Sequence, residues 1–149
     1  MAQEISAQVV LQEDMRFSGT AGSGYSVQLD GTAEVGSQSG LTPMEMMLIG
    51  LAGCSAMDVV AILEKKRQPV QGLEVRAFGN RRDTYPTVFD SVTLEYIVRG
   101  DGIEPEDVEH AIHLSRERYC PVWAMFGESA TITATFQLVQ EAAAPMPGD

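Results

Sequence analysis

The sequence predicts an α+β fold in which antiparallel sheets pack around a long central helix. Two observations lead to this class. The stretch from Leu41 to Pro69 has the composition and the end signals of one long helix. Around it, apolar residues alternate with polar ones at the period of a strand, and a second helix precedes the last strand. The resulting order is three strands, long helix, two strands, helix and strand, which is typical of helices packed against antiparallel sheet.

The predicted strands are segments in which every second residue is apolar. The segment around Val92 to Val98 alternates most regularly, and we expect it to pair antiparallel with the segment around Leu73 to Ala77. The other predicted strands lie around Ile5 to Leu11, Met15 to Thr20, Tyr25 to Leu29 and Ile132 to Leu138.

The long helix has well-marked ends. Thr42 suits the N-cap, Pro43 suits the first helical position, and Glu45 completes a capping box with Thr42. Basic residues at positions 65–67 favour the negative end of the helix dipole, and Pro69 prevents continuation.

The middle of this helix is uncharged from Met46 to Met57. Because Glu45 and Asp58 flank the short uncharged run, we do not expect a membrane span. A helix without a polar face needs cover on all sides, and one sheet covers only one side. A second copy of the chain would cover the rest, so the sequence predicts a homodimer.

Composition excludes several classes of partner. The chain has 149 residues, for which we expect one domain over residues 1–140 followed by a flexible tail over 141–149. Its net charge of −11 argues against nucleic acid and anionic membranes. The N-terminal residues lack the pattern of a secretory signal, so we expect a cytoplasmic protein. There its two cysteines are expected to be free thiols or a transient redox pair.

A second helix is predicted from Pro105 to Tyr119, and it should stop at Cys120 because Pro121 follows. Val108, Ala111 and Ser115 lie at helical spacing on it. We see no glycine-rich nucleotide fingerprint, and we expect neither a cofactor nor a metal.

Two stretches carry a pattern that resembles a known family. They read P-M-E-M-M-L-I-G-L-A-G-C-S-A-M-D-V-V-A-I-L-E-K-K-R from Pro43 to Arg67 and S-R-E-R-Y-C-P-V from Ser115 to Val122. With these stretches and its order of elements, the chain resembles the OsmC/Ohr family, and within it the OsmC-like branch. The resemblance implies an OsmC-like fold, an intertwined homodimer with sites at the subunit interface, and a thiol-dependent peroxidase for organic hydroperoxides in oxidative-stress defence.

The resemblance also implies roles for the two cysteines. Cys54 in the middle of the long helix would attack the peroxide and become a sulfenic acid. Cys120 would be the resolving thiol that forms a disulfide with Cys54, and a dithiol reductant would restore both. The activating cation would be Arg16, which follows the family's N-terminal placement most nearly, with Arg82 as the rival.

Two carboxylates near Cys54 in sequence have different expected roles. The glutamate of the peroxidase branches falls on Met44 in this chain, and Glu45 is one place off. At about 100° per residue, Glu45 points to the far side of the helix from Cys54, which favours its capping role. Asp58 shares a face with Cys54, and it could orient an arginine, form hydrogen bonds across the dimer or satisfy buried backbone.

Other interpretations remain open at this point. The thiols could be inert core residues, since buried cysteine is common. A binding or redox-sensing protein with an apolar small-molecule pocket at the dimer interface is the main alternative, and the helix methionines could line such a pocket. His110, His113 and Cys120 could share a helix face as a zinc site, but no further ligand cluster accompanies them. Nothing in the sequence marks a Cys–His hydrolase.

Overall fold

A computed structural model describes residues 3–140, so the tail predicted for 141–149 lies outside the described residues. The α+β class is confirmed. Within the described part the helices are α1 (Pro43–Lys65), α2 (Pro105–Leu114), a π-helix (Ser115–Tyr119) and α3 (Pro121–Gly127). The strands are β1 (Ala7–Glu13), β2 (Arg16–Ala21), β3 (Ser26–Leu29), β4 (Gly72–Arg81), β5 (Phe89–Arg99) and β6 (Thr131–Val139).

The chain divides into two compact units between Met47 and Leu48. The first unit contains an antiparallel meander in the order β1-β2-β3. Buried Asp30 fixes the loop after β3, because its carboxylate accepts hydrogen bonds from the backbone N–H and the hydroxyl of Ser39 at 3.1 and 2.6 Å. The expectation of one domain over residues 1–140 stays a prediction.

The second unit contains a three-stranded sheet in the order β4-β5-β6. As predicted, β4 pairs antiparallel with β5. In contrast, β6 runs parallel to β5, so this sheet is mixed rather than wholly antiparallel. The reason is the connection: α2, the π-helix and α3 lie between these strands and form the long crossover that a parallel pair requires.

The core of the second unit lies between β5 and α1. Leu94 and Tyr96 on β5 are fully buried, as are Leu51, Val59 and Leu63 on α1. The buried residues of α1 recur every fourth position, so they form one stripe along the helix. This stripe places the middle of α1 directly against the hydrophobic core.

The N-terminus of α1 has the predicted capping box. The Thr42 backbone N–H donates to Glu45 Oε1 at 2.9 Å, and the Glu45 N–H donates to Thr42 Oγ1 at 3.2 Å. Accepting the backbone hydrogen bond from Thr42 lowers the pKa of Glu45 below its usual value. Glu45 is therefore engaged as a capping residue, as the sequence favoured.

By length and composition, α1 could cross a membrane, with a mean hydropathy of 2.1 over its most apolar window. The core helix of a non-membrane protein passes the same test. Of that window, 22% is buried in the single chain, and the buried stripe includes Ser55, whose hydroxyl has hydrogen-bond partners.

The segment after α2 differs from the prediction. The helix changes to π geometry at Ser115, ends before Cys120 as expected, and is followed by α3, which the sequence analysis missed. Pro121 stops one helix and also occupies the first turn of the next, where its missing N–H costs nothing.

Candidate active site

Three side chains converge in the second unit. Cys54 and Asp58 lie one turn apart on α1, and Cys120 lies between the π-helix and α3. Cys54 Sγ, Cys120 Sγ and a carboxylate oxygen of Asp58 all lie within 4.8 Å of one another. Both cysteines are free thiols. The structure thus brings together the two thiols named from the sequence.

Local backbone geometry holds Cys120 in place. Its backbone is extended (φ −83°, ψ 103°), the conformation that a following proline favours. Its N–H donates to the Ser115 carbonyl at 2.8 Å, which closes the π-helix. Its Sγ accepts a hydrogen bond from the Trp123 backbone N–H at 3.3 Å.

The two thiols have different environments. Cys54 is half-buried, whereas Cys120 is 3% exposed. Burial, with smaller contributions from Cys54 and the Asp58 charge, raises the pKa of Cys120 to about 12. Cys120 is therefore a neutral thiol at pH 7, and Cys54 is the more accessible thiol.

A chain of hydroxyl groups leads from the core to Asp58. Tyr96 Oη and Ser55 Oγ are 2.5 Å apart, and Ser55 Oγ and Ser115 Oγ are 2.8 Å apart. The Ser115 hydroxyl donates to Asp58 Oδ2 at 2.9 Å. Burial raises the pKa of Tyr96 to about 12, so its hydroxyl keeps its proton. The sequence analysis did not predict this chain, because its hydroxyls come from separate segments with no fixed spacing.

The hydrogen bond that the structure describes for Asp58 comes from a side chain of its own subunit, which is none of the three roles considered from the sequence. The hydroxyl of Ser115 is the donor.

The two candidate arginines lie on β2 of the first unit and just after β4 in the second unit. Arg16 begins β2 in the first unit, where its Nη2 pairs with Glu13 Oε2 at 3.3 Å. Its Nε is buried and has no hydrogen-bond partner among residues 3–140. Arg82 lies in the second unit, and its Nε donates to the carbonyl oxygens of Thr84 and Pro86 at 3.2 and 2.7 Å. The Nε of Arg82 is thus engaged by its own loop.

A groove of about 340 Å³ adjoins the site. Asp58 lies on its wall, and the remaining lining is mostly apolar with lysine side chains. The other lining residues are Ala61, Ile62, Lys65, Lys66, Leu114 and Tyr119. A small apolar molecule could therefore lie next to Asp58.

Two thiolates and a carboxylate are also ligands that zinc accepts. A closed structural zinc site has four protein ligands, and the group found among the described residues has three. His110 and His113 are exposed on α2 and do not belong to that group.

Residues 36–135 match the model of the OsmC-like protein family. The chain belongs to the OsmC-like family. Protein YhfA of Escherichia coli (strain K12) is 36% identical over 135 residues, which cover 91% of this chain and 98% of YhfA. The family named from the two sequence stretches is confirmed.

Solved structures agree with this assignment. A hypothetical protein from Aquifex aeolicus superposes with a TM-score of 0.84 at 28% identity, over 95% of this chain and 100% of that one. An organic hydroperoxide resistance protein OsmC from Legionella pneumophila superposes with a TM-score of 0.71 at 13% identity, over 92% and 98% of the two chains. At that identity the Legionella structure shows the OsmC-like fold alone.

Proposed function

We propose that this OsmC-like protein is a thiol-dependent peroxidase that reduces organic hydroperoxides in oxidative-stress defence. The observation that carries the proposal is the convergence of Cys54, Cys120 and Asp58 within 4.8 Å. The description of the Legionella relative as a hydroperoxide resistance protein supports the substrate class.

Cys54 is the nucleophile in this proposal. Its thiolate attacks the O–O bond, so that an alcohol leaves and Cys54 becomes a sulfenic acid. The half-buried position of Cys54 supports this assignment over buried Cys120, because the peroxide must reach the attacking sulfur.

Cys120 is the resolving thiol. It condenses with the sulfenic acid to give a disulfide and water, and a dithiol reductant restores both thiols by exchange. Since the two sulfurs already lie within 4.8 Å, the condensation is intramolecular and fast relative to further oxidation of Cys54.

Arg16 remains the proposed activator of Cys54. Its buried Nε lacks a hydrogen-bond partner in the described part of the chain, whereas the Nε of Arg82 donates to two carbonyl oxygens. A guanidinium with unused donors is suited to stabilising a thiolate.

We propose further that the protein is a cytoplasmic homodimer. Val9, Val10 and Leu11 on β1 are about half exposed in the single chain, and Met57 on α1 is 76% exposed. Apolar residues in consecutive positions of one strand occupy both of its faces, which a second copy of the chain would cover.

The peroxidase is tested by a stoichiometric pulse of cumene hydroperoxide followed by a thiol count. We expect rapid loss of both thiols in the wild type. In Cys120→Ser a sulfenic acid should be trapped on Cys54 with dimedone, and Cys54→Ser should keep its remaining thiol. Persistence of both wild-type thiols under excess peroxide would refute the peroxidase.

The groove beside Asp58 favours a second candidate, a non-catalytic binding or redox-sensing protein. Its apolar lining and volume of about 340 Å³ suit a small apolar ligand. Two results together would favour this candidate over the enzyme. The thiols would react slowly with hydroperoxide, and an apolar fluorescent probe would bind saturably to the wild type but not to Ile62→Asp.

A further inference from the structure

In the chain of hydroxyl groups that ends at Asp58, every hydrogen bond is donated in the same direction. An ionised carboxylate can only accept hydrogen bonds, so the Ser115 hydroxyl must donate to Asp58. Each hydroxyl has a single proton, so Ser55 donates to Ser115 and Tyr96 donates to Ser55. The chain therefore runs from Tyr96 to Asp58, with every donor directed toward the carboxylate.

This arrangement is built into the core. Tyr96, Ser55 and Ser115 are each 0% exposed, so no solvent competes for their hydrogen bonds. Aligned hydrogen bonds in a dry environment polarise one another and stabilise the charge at their end. Asp58 is thus held as an oriented carboxylate next to two sulfur atoms.

The negative charge of Asp58 lies close to the Cys120 thiol and opposes its ionisation. A negative charge beside a thiol disfavours its ionisation. Burial raises the pKa of Cys120 to about 12, and Cys54 and, to the smallest extent, the Asp58 charge add to this shift. A neutral thiol is a poor nucleophile, so Cys120 needs a base at the moment of attack.

We propose that Asp58 is the proton acceptor for the Cys120 thiol when that thiol attacks an oxidised Cys54, an inference that rests on the thiol chemistry proposed above. Asp58 lies within 4.8 Å of both sulfurs. Its bond from Ser115 uses only one of its acceptor positions, so others remain available for the thiol proton. Hydrogen bonds of this kind are often long in free proteins and tighten during the reaction.

The proton and electron balance of the step is complete. The Cys120 sulfur forms the S–S bond as the S–O bond of the Cys54 sulfenic acid breaks. The thiol proton moves to Asp58 and then to the departing hydroxide, which leaves as water. Cys120 is oxidised, the sulfenic sulfur is reduced, and Asp58 returns to its ionised form.

Ser115, Ser55 and Tyr96 are positioning residues in this account. Ser115 occupies the first turn of the π-helix that ends at Cys120, so the same short segment orients the base and presents the thiol. Several titratable groups surround Asp58 and enter any pH profile. They are Cys54 on α1, Cys120, Tyr96 on β5 and, along the groove, Lys65, Lys66 and Tyr119.

The decisive assay isolates the attack by Cys120 without peroxide. Limiting Ellman's reagent places thionitrobenzoate on the accessible Cys54, and Cys120 then displaces it to form the disulfide. The leaving thionitrobenzoate needs no proton, so the rate of its release reports proton removal from Cys120. We expect Asp58→Asn to slow this release about 100-fold or more at pH 7, the usual contribution of a general base.

A purely electrostatic role of Asp58 predicts the opposite sign. Removing its charge would favour the Cys120 thiolate, so Asp58→Asn would release thionitrobenzoate faster. Release at or above the wild-type rate would overturn the proposal. Glu64→Gln is the matched control, since it removes an exposed carboxylate from the same helix, and we expect it to leave the rate unchanged.

The pH profile separates a base from a structural residue. With Asp58 as the base, the wild-type rate should change little from about pH 6 to 9, whereas in Asp58→Asn it should rise about tenfold per unit as thiolate forms. In Ser115→Ala, thionitrobenzoate release should be several-fold slower, and its rate should still change little with pH. A tenfold rise per unit in the wild type would overturn the proposal even if Asp58→Asn failed to fold.

The two proposals fail independently in these assays. No peroxide enters the displacement assay, so a wild-type rate in Asp58→Asn would leave the peroxidase standing. Conversely, unreactive thiols in the hydroperoxide pulse would leave the role of Asp58 to be decided by thionitrobenzoate release.

Discussion

The two three-stranded sheets differ in how far their apolar side chains are buried. In the second unit, β5 is the central strand and buries Val92, Leu94, Tyr96 and Val98 almost completely. In the first unit, β1 is an edge strand, and all seven of its residues are exposed in the single chain. The second sheet supplies a core within the chain, whereas the edge strand of the first sheet exposes Val9, Val10 and Leu11.

The candidate site lies in the unit that has the buried core. Cys54, Cys120 and Asp58 all belong to the second unit, where buried neighbours fix their positions. The first unit carries Arg16 and the exposed strand β1, the features that we propose for activation and for dimer formation.

The largest expected effect comes from removing core volume from β5. Leu94→Ala should lower the free energy of unfolding by about 2–5 kcal/mol, because it leaves a cavity beside a fully buried position. Urea denaturation measures the change. A loss below about 0.5 kcal/mol would show that β5 is not the core strand that its burial indicates.

Negative charges on β1 test whether a second copy of the chain packs against the sheet of the first unit. The double variant Val9→Asp and Val10→Asp places a charge on each face of the strand, and we expect it to sediment as a monomer at micromolar concentration while the wild type is a dimer. Thr133→Asp is the matched control, because Thr133 is exposed on the edge strand β6 of the second sheet. A wild-type monomer would refute the dimer, and an unaffected double variant would exclude β1 from the interface.

Alkaline pH should lower the stability of the protein through two buried side chains of the second unit, Tyr96 and Cys120. Tyr96 and Cys120 are neutral when protonated, and burial raises the pKa of each to about 12 from usual values of 10.0 and 9.0. The unfolded chain therefore releases these protons first as the pH rises. Their contribution to stability is complete below about pH 9 and is lost progressively toward pH 12.

The corresponding measurement is the free energy of unfolding against pH. Cys120→Ser and Tyr96→Phe should each flatten the alkaline decline. Tyr25→Phe in the first unit should leave it unchanged, since Tyr25 is 80% exposed. An equal effect of Tyr25→Phe would contradict the assignment of the decline to the buried groups.

The smallest expected effect concerns the cap of α1. Thr42→Ala removes the hydroxyl that accepts from the Glu45 N–H, so we expect a loss of about 1 kcal/mol in unfolding free energy. Glu45→Gln should retain the reciprocal bond to Thr42 and the rate of reaction with hydroperoxide. A large loss of reactivity in Glu45→Gln would restore Glu45 as a candidate site residue.

The cap also has a predicted acid dependence. The pKa of Glu45 is lowered in the folded protein, so its contribution to stability is present above the unfolded value of about 4.5 and is lost as the pH falls through the folded value. The difference in stability between the wild type and Glu45→Gln should therefore diminish in acid.

Local signals explain what could be predicted from the sequence. Thr42, Pro43 and Glu45 define the start of α1 by short-range capping, and alternation defines the strands. The parallel pairing of β6 with β5 depends on where a long connection returns, which alternation does not encode. Likewise α3 is too short for a periodic pattern to be recognised.

Some residues of the candidate site could likewise be predicted from the sequence, and others could not. Cys54 and Cys120 stand out because they are the chain's two cysteines, and Asp58 because it lies one turn from Cys54. Ser55 and Tyr96 lie in ordinary apolar patterns, and only tertiary packing reveals that their hydroxyls meet. Residues that act through a buried network carry no local sequence signal of their own.

Turnover with a dithiol reductant is the most direct measurement of the proposed peroxidase activity. With cumene hydroperoxide and excess dithiothreitol, the wild type should consume many equivalents of peroxide per subunit, and Cys54→Ser should fall to the uncatalysed rate. We expect the wild type to catalyse this reaction and the catalysis to be lost when Cys54 is replaced. Consumption by the wild type no faster than by Cys54→Ser would contradict it and would leave the groove beside Asp58 as the basis of a binding function.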